Sequence, residues 1–200
     1  MIRKFGGAAG VESQPQGIDI GVGGGSNIKS IQRGVTQIHY SASSVEVTIN
    51  SVDKTKSIIR LSQEGADGTS SGALPSTFIR GTFKTGEAKI VLDRPVSGGN
   101  ANYSIYVYWE VIEFAFPVQS GVLTMGSNSA NEYATITAIN RNKSTLFFSY
   151  NTPNNAGSYF NPMNTFINGS LASDTLVYFG RKAAETSCSA NIAWFVVEFK

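Results

Sequence analysis

The chain has 200 residues, of which 41% are apolar, only 15% charged and 21 are glycine. That balance excludes a helical bundle, which needs more Ala, Leu, Glu and Lys, and suits β structure with many turns. A net charge of +2 with no basic block gives no electrostatic footing for nucleic acid. The length suits one large β domain or two small ones.

Residues 1–26 form a separate zone, Gly-rich and poor in apolar bulk. Such a segment cannot bury enough surface to offset its ordering entropy alone. It reads either as a flexible tail or as an arm ordered on a partner. Its glycines at 21, 23, 24 and 25 miss the dinucleotide fingerprint because Ser26 takes the last place. The first residues lack the apolar run of a secretory signal, and no stretch has the ~18 apolar residues of a membrane helix. The expectation is a chain made in a cytoplasm, with no membrane insertion.

From residue 27 onward the pattern predicts strand after strand. "SVEVTI" (44–49), "KSIIRLS" (56–62), "AKIVLD" (88–93), "IYVYWEVIEF" (105–114), "YATITAI" (133–139), "KSTLFFSY" (143–150) and "DTLVYFG" (174–180) are β-branched or alternating. "NIAWFVVEFK" (191–200) is the last of them. Turn-rich separators lie at 64–75, 96–102 and 151–162. The fold class is all-β, with one short helical turn expected in a loop.

Four blocks recur in one order. "IQRGV" (31–35) matches "VQSGV" (118–122), and "VTINSVDKTKSIIRLS" (47–62) matches "ATITAINRNKSTLFFS" (134–149), each shifted by 87 positions. "STFIRGTF" (76–83) matches "NTFINGSL" (164–171) at 88, and "WEVIEF" (109–114) matches "WFVVEF" (194–199) at 85. The reading is a duplicated antiparallel β-sandwich: an arm over 1–26, a first domain over 27–115 and a second over 116–200. "AFPVQ" joins them, stiffened at Phe116 by Pro117.

The duplicated strand is apolar on both faces. Ile105, Val107, Trp109 and Val111 share one face, and Tyr106, Tyr108, Ile112 and Phe114 the other. In the second copy Ile192, Trp194 and Val196 oppose Ala193, Phe195, Val197 and Phe199. A strand with one wet face should alternate apolar and polar. The residues Tyr106, Tyr108, Ile112, Phe114, Phe195, Val197 and Phe199 are therefore candidates for an inter-domain or inter-subunit interface. A facing sheet and loops within one domain are the alternative cover.

"VQSGVLTMG" (118–126), "ATITAIN" and the closing "SANIAWFVVEF" resemble the H-type lectin family. The resemblance implies six-stranded antiparallel β-sandwiches that trimerise. Similar tandem domains behind Gly-rich leaders occur in bacteriophage tail and appendage proteins. It therefore implies a tail-associated virion protein, homotrimeric, reaching other phage structural proteins through its arm and contacting a host-surface glycan. A capsid-decorating or vertex protein and a free carbohydrate-binding lectin are the alternatives. The family's sugar-binding residues do not carry over. "PVSGGNANYS" and "KAAETSCSAN" lack His and Trp, and Ser127, Asn128 and Ser129 supply no carboxylate.

Catalysis is not expected, nor is a cofactor or metal. His39 is the one histidine and Cys188 the one cysteine, too few for a zinc site and without a nucleophile motif. Glu113 and Glu198 hold equivalent repeat positions, which suits a duplicated structural charge; Arg33 and Arg80 are the candidate partners. Paired carboxylates for glycosidase chemistry could come only from Glu110, Glu113 or Glu198. Tyr159 and Phe160 form a candidate contact site at a loop tip.

Overall fold

The computed structural model describes residues 16–18, 27–64, 77–95, 104–152, 164–184 and 188–200. The strands are β1 (Gln16–Ile18), β2 (Ile28–Ile38), β3 (Ser44–Thr48), β4 (Ser57–Glu64), β5 (Arg80–Phe83), β6 (Lys89–Asp93) and β7 (Ile105–Phe114). They continue as β8 (Gln119–Met125), β9 (Asn131–Thr135), β10 (Ser144–Asn151), β11 (Asn168–Ser173), β12 (Leu176–Gly180) and β13 (Ala190–Glu198). The chain is all-β. Short 3-10 turns lie at Lys54–Lys56 and Arg141–Lys143 among the described residues, against the one helical turn expected in a loop.

Four small antiparallel sheets form, in the orders β1-β2-β7-β4, β3-β6-β5, β8-β13-β10 and β9-β12-β11. The β2-β7-β4 core of the first sheet corresponds to β8-β13-β10, and β3-β6-β5 to β9-β12-β11. In each half the Trp-bearing strand is the centre of its sheet, because only there does a strand apolar on one whole face meet two neighbours. The short β1 extends the first sheet by pairing with β2, Ile18 opposite Ile31; the rest of the expected arm lies outside the described residues.

Each half has its own core drawn from both of its sheets, giving it a sandwich-like build. Ile38, Val47, Ile59, Ile90, Leu92, Trp109 and Val111 cluster in the first. Met125, Ile136, Ile167, Val177, Phe179, Ile192, Trp194 and Val196 cluster in the second. The indoles fit because they face glycine. Gly34 is registered with Trp109 and Gly121 with Trp194. A Cβ on Gly121 would sit 2.5 Å from Trp194 Cζ2, and one on Gly34 would overlap Trp109 Cζ2 outright.

The duplication reaches individual hydrogen bonds. Gln32 and Gln119 each bridge backbone 18 residues on: Asn50 N–H donates to Gln32 Oε1 at 2.6 Å, and Thr137 N–H to Gln119 Oε1 at 2.6 Å. Asp53 and Asn140 cap the two 3-10 turns, accepting from Thr55 and Asn142 N–H at 3.0 Å each. One strand is shorter than its sequence pattern. β9 stops at Thr135, and Ile136 and Ile139 leave the ladder, yet both stay buried. Their N–H groups donate instead to Thr175 and Asp174 carbonyls at 2.9 Å.

Candidate functional site

The two halves meet through the outer face of β10 and β13. Antiparallel register puts Phe147 beside Phe195 and Thr145 beside Val197 on that face. Phe195 and Val197 are buried, and they belong to the core of the first half, not the second. Phe195 meets Phe83 of β5 edge-on, with ring centroids 6.2 Å apart. Gly81 N–H, on the edge strand β5, donates to Ser149 Oγ at 3.0 Å in a buried setting. Asn151 Nδ2 donates to Asp93 Oδ2 at 2.7 Å, and Arg80 pairs with the same carboxylate at 2.8 Å. Phe78 stacks on Tyr150 at 5.0 Å and meets Phe166 edge-on at 5.5 Å. The joining segment takes part. Phe114, Phe116 and Phe199 form an aromatic cluster, with Lys200 Nζ 5.9 Å above the Phe116 ring. Beside this junction opens a cleft of about 430 Å3, lined by Lys54, Thr82, Phe83, Ser120, Val122 and Phe195, among others.

The equivalent face of the first half is different. Tyr106 and Tyr108 of β7 are 48% and 42% exposed, and Val35 of β2 is 38% exposed. At its centre Glu110, where the second half has Phe195, is held between Arg33 at 2.5 Å and Arg60 at 2.9 Å. Those hydrogen bonds, Arg33's foremost, keep the Glu110 carboxyl below the usual carboxylate range. Tyr108 Oη donates to Glu64 at 2.9 Å, which raises the phenol. Of the seven residues expected at an interface, Phe195 and Val197 are covered by the sister half. Phe114 is buried against Phe116, Ile112 is half-buried, and Phe199, Tyr106 and Tyr108 stay exposed. Tyr159 and Phe160 lie outside the described residues, as do 65–76, 96–103 and 153–163 of the expected loops.

Two expectations about the charges need correction. Arg33 and Arg80 do not serve Glu113 or Glu198. Arg33 projects on the outer face with Glu110, whereas Glu113 has the opposite parity and turns inward. A register irregularity between Ile28 and Ser30 brings Lys29 and Ser30 to Glu113, at 2.7 and 3.2 Å. Asp53 N–H also donates to Glu113 at 3.4 Å, and Asn140 N–H to Glu198 at 3.1 Å. That second pair of bonds is the duplicated part of the role. His39 is exposed, its Nδ1 2.8 Å from Ser41 Oγ. Cys188 is buried and in no disulfide, its Sγ donating to the Ser189 carbonyl at 3.5 Å. Among the described residues no group of three or more His, Cys, Asp or Glu side chains is placed to hold a metal ion. No helix there is long and apolar enough to cross a membrane.

Two buried arginines escaped the sequence reading. Arg94 donates to the Ala42 and His39 carbonyls at 3.1 and 2.7 Å. Arg181 reaches the Gly126, Ser127, Ser129 and Cys188 carbonyls within 3.0 Å. Each follows the central strand of its half's smaller sheet and ties down the turn between the first two strands. Their separation of 87 residues, the same as the repeat shift, was the available signal.

An exposed ion cluster marks the β5–β6 turn, where Gly86 takes the left-handed φ of 74°. Lys84 and Lys89 each bridge Glu46 and Glu87 at 2.7–3.2 Å. Hydrogen bonds from Lys84 and then Lys89 push Glu87 down to about 2 and lower Glu46 as well. A carboxyl that ionises more readily folded than unfolded stabilises the fold fully above its unfolded value of 4.5, and that contribution fades as pH falls through about 2. Glu87→Gln should therefore narrow its gap to the wild type in urea midpoint between pH 6 and pH 3. An unchanged gap would show that the cluster is screened out by solvent.

Comparison with family models, with curated proteins and with solved structures gives no match to any of them.

Proposed function

We propose that this chain is a structural, non-enzymatic component of a bacteriophage particle. It is tail-associated, a fibre, baseplate or adaptor part, and made of two tandem H-type-lectin-like β-sandwich domains that assemble as a homotrimer. Three chains of two domains would present six similar lobes, a shape suited to the join between threefold and sixfold parts of a particle. The Gly-rich arm reaches other structural proteins, and outward loops meet the host surface.

The observation that carries this reading is where the best-packed apolar chemistry sits. It lies at the junction between the two halves of the chain, where Phe195 and Val197 of one half complete the core of the other. The ion pairs and buried arginines described above also serve backbone and inter-strand contacts. The motifs "VQSGV" and "WFVVEF", with their first-half counterparts, supply the rest. Immunogold labelling of purified particles with an antibody to this chain tests it. Label at the tail is the expected result. Label on the head alone would remove the tail assignment, and unlabelled particles would remove the virion assignment.

A further inference from the structure

We infer that the outer edge of β8 is a strand-addition site for an extended peptide segment of another protein, one that alternates apolar side chains with a carboxylate. The site is a property of the fold and does not depend on the particle reading. Its basis is an asymmetry between the duplicated sheets. The first half's sheet, β1-β2-β7-β4, has four strands, and its counterpart β8-β13-β10 has three. The strand missing from the second is the equivalent of β1, which pairs along β2 with Gln16 opposite Arg33 and Ile18 opposite Ile31. The edge that β8 presents is thus one that the molecule already fills once, by adding a strand.

The backbone groups that such pairing needs are open on this edge. The repeat shift of 87 makes Val118 the equivalent of Ile31 and Ser120 that of Arg33. Val118 N–H points away from β13 and donates to the Thr55 carbonyl at 2.8 Å, so the first half's own turn takes the place that Ile18 holds on β2. Backbone groups alternate in direction along an antiparallel strand, so Ser120 and Val122 face outward as Val118 does. Among the described residues no hydrogen bond reaches the backbone N–H or carbonyl of either on that side. Both residues are exposed, Val122 at 61%. Edge strands are usually guarded by charge or proline. The edges β3, β4, β5 and β9 carry Glu46, Arg60, Arg80 and Glu132, whereas Gln119–Met125 has neither a charge nor a proline.

The cleft of about 430 Å3 beside the junction runs past the same residues, and its lining selects the partner. Side chains alternate in direction along a strand, so one face of an added strand stands over the side of the sheet that carries Val122 and Phe195. Val118, Val122, Ala193, Phe195 and Phe83 make the lining largely apolar, and Lys54 is its one charged residue. Lys54 Nζ donates to the Lys84 and Glu87 carbonyls, and no carboxylate pairs with it among the described residues. A segment with apolar, acidic and apolar residues at every second position covers the valine and phenylalanine and brings a carboxylate to Lys54. Main-chain hydrogen bonds then supply affinity, and those side chains supply selectivity.

Peptide binding to the full chain tests this. The probe is fluoresceinyl-Thr-Val-Thr-Glu-Thr-Val-Thr-amide, followed by anisotropy, and saturable binding is expected. Exchanging Glu for Gln in the peptide, or Lys54→Met in the chain, should each weaken binding about threefold, the size of one exposed ion pair. Val122→Pro removes an outward N–H, which an edge strand tolerates. It should weaken binding about tenfold, the size of one lost hydrogen bond, and leave the melting temperature near that of the wild type. Should that variant not fold, amide exchange in the wild type decides: Ser120 and Val122 exchange fast alone and are slowed by the peptide. No saturable binding overturns the inference, as do equal binding of the glutamine peptide and binding that leaves those two amides unprotected. Protection of the two amides that rises with chain concentration in the absence of peptide means that β8 pairs with a second copy, and overturns it too.

Discussion

Replacing Phe195 with glutamate, the residue the first half carries at the equivalent place, is expected to separate the unfolding of the two halves. Phe195 is 4% exposed and meets Phe83 at 6.2 Å, inside a cluster otherwise built by the first half. Removing a buried phenylalanine costs about 3–5 kcal/mol, and a carboxylate there would lack the arginines that flank Glu110, adding a desolvation penalty. A loss of about 4 kcal/mol lowers the melting temperature by roughly 10 °C in a chain of this size. The two tryptophans report separately, Trp109 from the first half and Trp194 from the second. Urea titrations of Phe195→Glu in Trp109→Phe and Trp194→Phe backgrounds should give different midpoints. Coincident midpoints at the wild-type value would show that the junction contributes nothing to stability.

The second large effect is expected at Gly34. The side chain of Gly34→Ala would overlap the indole of Trp109, and the ring has nowhere to go. Trp109 is 1% exposed, registered with Leu61 on its other side, and its Nε1–H donates to Thr36 Oγ1 at 3.1 Å. Overpacking of this kind typically costs 1–3 kcal/mol, and the rigidity of this site places Gly34→Ala near the upper end, at about 3 kcal/mol. The cause can be isolated. Trp109→Phe removes the atoms that clash, so Gly34→Ala should cost about 1 kcal/mol or less in that background. The difference is a coupling energy read from a double-mutant cycle in urea. Additive costs would place the penalty in the backbone of β2 instead.

Gly34 also shows what was legible in the sequence. "IQRGV" and "VQSGV" reveal that a glycine is repeated, and the periodic Trp-Val-Glu-Phe strands reveal which strand is central. Both follow from local pattern, and the eight strands delimited in the sequence came out within a few residues except at β9, whereas β1, β2, β5, β8 and β11 were not delimited. The reason for the glycine is not local, because the indole it accommodates lies 75 positions away. Charge pairing was less legible for the same reason. Glu113 was matched with Arg33 and Arg80, but strand parity sends Arg33 outward and a register irregularity delivers Lys29. Arg94 and Arg181 act on backbone carbonyls, which have no sequence signature. The interface candidates were chosen by hydrophobicity and strand face. The repeat alignment already paired Phe195 with Glu110, and that contrast separates a face covered by the sister half from one that must stay wetted.

The central place of β7 and β13 also governs the order in which the molecule can form. Each is the last strand of its half in the chain, and each lies between two strands made earlier. While residues 105–114 are still undelivered, β2 and β4 have no ladder between them, and Trp109 and Val111 are missing from the core. The first half then needs Phe195 and Val197, about 80 positions further on, to close its side. Pairings across such separations carry a heavy loop-closure cost and form slowly. During translation, exposed strand edges therefore persist until late, which is when a nascent chain of this design is most exposed to aggregation.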